Sequence, residues 1–257
     1  MKKMALCALL VLSLGAPANI ALAEPAKEIV VSAAASLKNA FAEIGKLYEA
    51  GNKDVKVSFN FGASGDLMTQ IKGGAPVDVF ASAALKDMDA LEKDGLILKD
   101  TRRNFSGNTV ALIVPRKSKI SVRSFEDLKK PEIKKIAVGN PKTVPAGRYT
   151  EEVFRYYAIS GMIREKLVFS ENVRQVLEYV ARGEVDAGVV YGSDAVADQE
   201  EVIVTVIAPE VSHQAVVYPI AAVTGTKNEK AAKAFISVVL SDDGKKILGK
   251  YGFKPLQ

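Results

Sequence analysis

Small or hydroxyl-bearing residues recur where an apolar strand pattern gives way to a helical one. They are Ser36 in A33-A-A-S-L-K38, Ser64 in F61-G-A-S-G-D-L67, the turn Pro145-Ala146-Gly147, and Asn172-Val173 in S170-E-N-V-R174. A helix start presents unpaired N–H groups and the positive end of the helix dipole. Such a start is suited to an anion. The plainer role is structural, because Ser and Asn are favoured N-caps. Tyr191 ends a strand ahead of G192-S-D194, and its hydroxyl is either satisfied in a core or offered to a ligand. Asp194 is expected to cap the turn that follows. Lys38, Lys142, Arg148 and Arg174 lie near the junctions, where they could contact an anion, with surface solvation the expected fate of each.

Other chemistries find little support. The sole histidine, His213, sits in E210-V-S-H-Q-A215 between strand-like runs and reads as a solvated loop residue. One imidazole cannot make a two-histidine metal site. No acidic loop of the EF-hand kind appears, and neither G-x-G-x-x-G nor G-x-x-x-x-G-K-[ST] is present. G62-A-S-G65 is not the G-x-S-x-G nucleophile elbow. Acidic pairs such as Asp186 and Asp194 are expected by chance at this acid content.

These junctions need elements to hold them, and strand and helix patterns alternate throughout the chain. I29-V-V-S-A-A34 runs into a helix with Leu37, Ala40, Phe41, Ile44, Leu47 and Tyr48 at helical spacing. Val55 to Phe61 alternates as a strand. A short helix follows until Gly73-Gly74, then the strand V77-D-V-F-A81 and a helix ending near Gly95. Thr109 to Val114, K135-I-A-V-G139, L167-V-F169, V185-D-A-G-V-V-Y191, V202-I-V-T-V-I207 and A215 to V223 are further strands. Ser124 is expected to cap a short helix, a longer one runs from Tyr149 towards Gly161, and another runs from Asn172 to Gly183. The chain from Lys230 is helical, broken at S241-D-D-G244. This alternation argues for α/β units on largely parallel sheets. The count is generous for one sheet, so two lobes of discontinuous segments are expected, with Asn108–Val114 and Ala215–Val223 as crossings.

Residues 1–23 read as a secretory signal peptide. Lys2 and Lys3 precede the apolar run Met4–Leu14, and Ala21-Leu22-Ala23 offers a cleavage site. Cys7 lies inside the apolar run, not at its end, so no lipid anchor is read. Removal leaves 234 residues without cysteine and lowers the net charge from +5 to +3. Disulfides and thiol chemistry are then excluded. The mild charge, dispersed over the chain, gives no basis for nucleic-acid binding. No other apolar run is long enough to cross a membrane.

Five stretches in order, A33-A-A-S-L-K-N-A-F41, G74-A-P-V-D-V-F-A-S-A83, V138-G-N-P-K-T-V-P-A-G147, E171-N-V-R174 and V190-Y-G-S-D-A-V196, with the closing K250-Y-G-F253, resemble the periplasmic molybdate-binding proteins of bacterial molybdate ABC transporters. The resemblance implies a two-lobed periplasmic binding protein fold of type II kind. Each lobe would be a mixed, mostly parallel sheet flanked by helices, with the ligand in the cleft. Residues 24–106 and 217–257 would form lobe 1 and residues 107–216 lobe 2. It implies molybdate, and tungstate, as ligand. Ser36 and Ser64 would donate through hydroxyl and N–H, Ala146 and Val173 through backbone N–H, and Tyr191 through its hydroxyl. Ser36 would then be both N-cap and anion donor. No catalysis, cofactor or direct metal ligand is implied. The expected partner is an ABC permease with its ATPase subunits, and the expected state a periplasmic monomer. Sulfate is the nearest alternative ligand. An exported enzyme with a serine nucleophile and a sensor domain are the rivals of other classes.

Overall fold

A computed structural model describes residues 27–256. Residues 1–23, expected to be a signal peptide, with Cys7 and the expected cleavage point after Ala23, lie outside the described residues. In chain order the strands are β1 (Lys27–Ala34), β2 (Val55–Gly62), β3 (Val79–Ala81), β4 (Arg103–Gly107), β5 (Val110–Pro115), β6 (Ile136–Gly139), β7 (Leu167–Ser170), β8 (Ala187–Tyr191), β9 (Val202–Ile207) and β10 (Val217–Ala222). They form two five-stranded sheets, ordered β2-β1-β3-β10-β4 and β7-β6-β8-β5-β9.

The two sheets share one plan. β2, β1 and β3 are parallel, and β10 runs antiparallel between β3 and β4. β7, β6 and β8 are parallel, and β5 runs antiparallel between β8 and β9. The inner parallel strands are apolar on both faces, as helices on each side require. Ile29, Val31 and Ala33 of β1 and Val189, Val190 and Ala187 of β8 are buried. The chain passes between sheets twice, at Asn108-Thr109 and over residues 208–216. The long runs expected to cross are therefore strands of one sheet each, and the short segments beside them make the crossings. β4 gave no alternating pattern, since Arg103 and Asn104 are exposed and Phe105, Ser106 and Gly107 are all buried.

Helices α1 (Lys38–Gly51), α2 (Ser64–Lys72) and α3 (Leu85–Lys93) follow strands of the first sheet. Helices α4 (Pro145–Tyr156), α5 (Ser160–Ile163), α6 (Val173–Ala181) and α7 (Gly192–Ala197) belong with the second. After β10 the chain stays with the first sheet as α8 (Glu229–Leu240) and α9 (Asp242–Lys250). Phe235 of α8 packs its ring 5.9 Å from that of Phe41 and 5.6 Å from that of Tyr48, both on α1. Burial of aromatic side chains of this size makes such a contact a major part of the local core. Ser241 caps α9, its hydroxyl accepting from Gly244 N at 3.1 Å. Residues 125–129 form a 3-10 turn that Ser124 does not cap through its side chain.

Candidate functional site

The C-terminal ends of β1, β2, β6, β7 and β8 bring their following turns together between the sheets. Ser36, Ser64, Ala146, Val173 and Tyr191 all line one small cavity, with Ala34, Ala35, Gly62, Ala63, Ala83, Val144 and Pro145 completing its wall. All five are buried, and Ser64 is 0% exposed. Ligands of open α/β sheets bind at such strand ends.

The local chemistry equips four of the five to donate. Ala146 and Val173 stand in the first turns of α4 and α6, where an N–H has no intrahelical acceptor. Pro145 opens α4 without an N–H, so Ala146 is its first donor. Close packing makes the turn possible. A Cβ on Gly147 would stand 2.1 Å from Gly139 O, so the V-G-N-P-K-T-V-P-A-G loop folds onto its own strand only with glycine there. Ser64 Oγ accepts from Ala83 N at 3.0 Å, which leaves its proton for the cavity. Tyr191 O–H reaches Ala83 O at a long 3.5 Å and so is weakly held. Burial pushes the Tyr191 hydroxyl well above its ordinary value, keeping it protonated.

Three expectations are corrected. Ser36 is not an N-cap: it lies inside a 3-10 turn, Ala35–Leu37, whose cap is Ala34, and α1 is preceded by Leu37. Its hydroxyl instead lies 3.0 Å from Tyr218 Oη. Of the four junctions only Asn172 caps through its side chain, accepting from Arg174 N and Gln175 N. Arg148 and Arg174 are not solvated surface residues. Arg148 pairs with buried Asp87, and Arg174 Nε lies 2.7 Å from Asp194 Oδ1. That second contact is an ion pair, not an aligned hydrogen bond. Arg174 Nη2 donates to Ser36 O at 3.2 Å, across the two sheets. Asp194 does cap its turn, accepting from Tyr191 N at 3.2 Å. Lys38 and Lys142 are exposed, as expected.

The rest of the chemistry stays apart. His213 is in a loop, half-buried, with its ring 6.0 Å from that of Tyr149 and Nδ1 2.7 Å from Gln214 O. It bonds to neither serine. No group of three or more metal-ligating side chains occurs among the described residues. No described helix is long and apolar enough to cross a membrane. Three residues around the cavity had no assigned role: Ala83, whose N–H and carbonyl touch Ser64 and Tyr191, and Asn108 and Tyr218, which stand behind Ser36. Their types are unremarkable in a strand or turn, and only their placement reveals them.

Residues 29–254 match the bacterial extracellular solute-binding protein family. The chain is 37% identical over 243 residues to the molybdate-binding protein ModA of Escherichia coli K12, covering 93% of each. It is 40% identical over 225 residues to YvgL of Bacillus subtilis strain 168, which carries the name of an ABC transporter substrate-binding lipoprotein, covering 88% of this chain and 85% of that one. It superposes on the periplasmic molybdate-binding protein of Azotobacter vinelandii with a TM-score of 0.81 at 20% identity, over 89% of this chain and 100% of that one. At that identity the likeness speaks for the fold, which is the two-lobed periplasmic binding protein fold.

Proposed function

The chain belongs to the bacterial extracellular solute-binding protein family, and from that premise we propose that it captures molybdate in the cavity between its sheets and hands it to an ABC permease with its ATPase subunits. Proteins of this family are extracytoplasmic transport components, not enzymes, and the oxyanion is cargo, not a cofactor. The name of the E. coli relative supports molybdate over other anions. Tungstate, a dianion of the same shape, is proposed as a second ligand.

The observation that carries the reading is that Ser36, Ser64, Ala146, Val173 and Tyr191 line one cavity, three bringing hydroxyls and two standing in the first turns of helices. A fully ionised tetrahedral oxyanion has only acceptor oxygens. Hydrogen bonds to a charged acceptor are roughly twice as strong as neutral ones, so several of them offset the cost of desolvating the dianion. No lysine or arginine lines the cavity, and the two nearby guanidiniums are already paired. Phosphate near neutral pH retains a proton, which needs an acceptor that this set of donors does not offer. Sulfate has no such proton, so only the fit of the cavity separates it from molybdate.

Finer points of the proposal are a signal peptide cleaved after Ala23, a periplasmic location, a monomer, and lobes comprising 24–106 with 217–257 and 107–216. Mass spectrometry of the exported protein should find a free N-terminus at Glu24, and a lipid on Cys7 would overturn that reading. Calorimetric titration with molybdate, tungstate, sulfate and phosphate tests the ligand, and tighter binding of sulfate than of molybdate would transfer the site to sulfate. Ser64→Ala should weaken molybdate binding by about 1.5–3 kcal/mol, the range for a hydrogen bond to a charged group. Ser64→Asp should abolish it, and molybdate binding equal to that of the parent would remove Ser64 from the site.

A further inference from the structure

We infer that Asn108 and Tyr218 form a directed hydrogen-bond relay that holds Ser36 as a donor, and that this relay sets the site's preference for unprotonated over protonated oxyanions. The inference rests on the cavity being the anion site, as proposed above. It concerns two residues that do not line the cavity.

The direction follows from counting protons. Asn108 Oδ1 accepts from Thr109 N at 2.9 Å and from Ser193 N at 3.3 Å. Turning the amide over would set its NH2 against two N–H donors, so its orientation is fixed. The Asn108 amide nitrogen therefore points the other way, with one N–H to Ser193 Oγ at 2.8 Å and one to Tyr218 Oη at 3.2 Å. Tyr218 is fully buried, and burial keeps its hydroxyl protonated. Its one other hydrogen-bond partner among the described residues is Ser36 Oγ, at 3.0 Å. Were Ser36 to donate to Tyr218, the tyrosine oxygen would accept twice and its own proton would be stranded in the core. A stranded buried donor is costly. Tyr218 thus donates to Ser36, and the Ser36 proton is left to face the cavity.

The relay also has a telling position. Asn108 lies in the first crossing between the sheets, and Tyr218 is the second residue of β10, just after the other crossing. A serine alone would be free to turn its lone pairs to a protonated ligand. A serine already accepting from a buried tyrosine does so only by breaking that bond. Asn108 and Tyr218 are positioning residues in this sense: they act on the ligand through Ser36.

The test uses the full chain and four anions, molybdate, tungstate, sulfate and phosphate, titrated near pH 8, where phosphate is mainly a dianion with one proton. The key readout is the phosphate-to-sulfate affinity ratio, because the two differ in that proton while sharing charge and shape. Tyr218→Phe removes only the hydroxyl and frees Ser36 to accept. Molybdate affinity should fall about tenfold, the scale of one hydrogen bond, and the phosphate-to-sulfate ratio should rise. Asn108→Asp replaces the amide donor by a carboxylate oxygen, which would accept from Tyr218. Tyr218 would then accept from Ser36, and the relay would run backwards. Molybdate and sulfate should weaken together, by more than in Tyr218→Phe, while phosphate weakens least. General damage to the fold, or simple repulsion by the added charge, would lower sulfate and phosphate alike. An unchanged ratio in the variant that folds overturns the relay, even if all affinities drop. If the parent protein binds none of the four anions, the cavity reading fails and the relay falls with it. Binding by the parent with an unaltered ratio in both variants sinks the relay alone.

Discussion

Asp87 and Asp194 are carboxylates with almost no exposure, each facing an arginine, so two effects compete for their protons. Burial penalises the charged form and the guanidinium favours it. For both residues burial is the larger effect and the carboxyl is raised above its ordinary value. The native chain then holds these protons more readily than the unfolded chain does in the range just above the ordinary carboxylate value. Their contribution to stability is fully present below that value and is lost as pH rises through the folded one. Asp87 is the cleaner test, because Asp194 also touches Tyr191 N and would disturb the cavity. Melting temperatures of the parent and Asp87→Asn, measured from about pH 4 to about pH 7, should show the parent losing ground to the variant as pH rises, then a constant difference. A parent that gains with pH would mean that the Arg148 pair outweighs burial. None of this was legible in the chain. An arginine beside a ligand-like turn reads as solvated because its carboxylate partner is 61 residues away for Arg148 and across another turn for Arg174. The five cavity residues were legible only because short motifs carry them, and the relay behind Ser36 has no motif at all.

At the scale of elements, four helix ends share one device. At Gly74, Gly95, Gly183 and Gly252 the chain turns with positive φ. The paired backbone bonds of a Schellman cap accompany each turn, as in Leu96 N to Leu91 O with Gly95 N to Glu92 O. Glycine takes this conformation without steric cost, so these stops could be read from the chain. The end of α4 could not. Gly161 looked like its stop, yet the same pair of bonds, Ile159 N to Phe154 O and Ala158 N to Arg155 O, forms around Ala158 at φ 53°. Buried Phe154 and Ile159 supply the apolar residues that complete the cap. An alanine held there bears a left-handed backbone that costs roughly 1–2 kcal/mol. Ala158→Gly should therefore stabilise the protein by about 0.5–1 kcal/mol after the extra entropy of the unfolded glycine is deducted. Urea unfolding measures it, and a loss of stability would show that the αL cost is already relieved by the cap. Strand β4 escaped for the opposite reason: it has no period, because its inner half, Phe105 to Gly107, is buried throughout, with Gly107 exchanging backbone bonds with Lys254 of the C-terminal segment along the sheet edge.

For the molecule as a whole, the cavity poses a problem of access. Its walls come from both sheets and all five proposed donors are buried, so if the cavity is the anion site a hydrated dianion reaches them only when the lobes separate. Among the contacts that span the gap, Gly65 N donates to Thr143 O at 2.9 Å, Arg174 Nη2 donates to Ser36 O, Tyr191 O–H reaches Ala83 O, and Arg148 pairs with Asp87. Together they define a closed state, and a ligand that touches donors from both lobes favours it by its differential affinity. Gly65 is where closure is most constrained. A Cβ there would stand 2.7 Å from Thr143 O and 2.9 Å from Thr143 Cα, against backbone that cannot swing aside. Within its own lobe the same change is not unfavourable, since alanine is the better helix former and Gly65 lies in the first turn of α2. Gly65→Ala thus separates the fold of the lobe from the approach of the lobes. Small-angle scattering of the parent should show a smaller radius of gyration when molybdate is added. In Gly65→Ala the contraction should be smaller and molybdate should bind more weakly, with the helix content unchanged. A variant that contracts and binds like the parent would show that the lobes do not meet at Gly65. A parent whose scattering is unmoved at saturating molybdate would show that capture does not work by hinge closure at all.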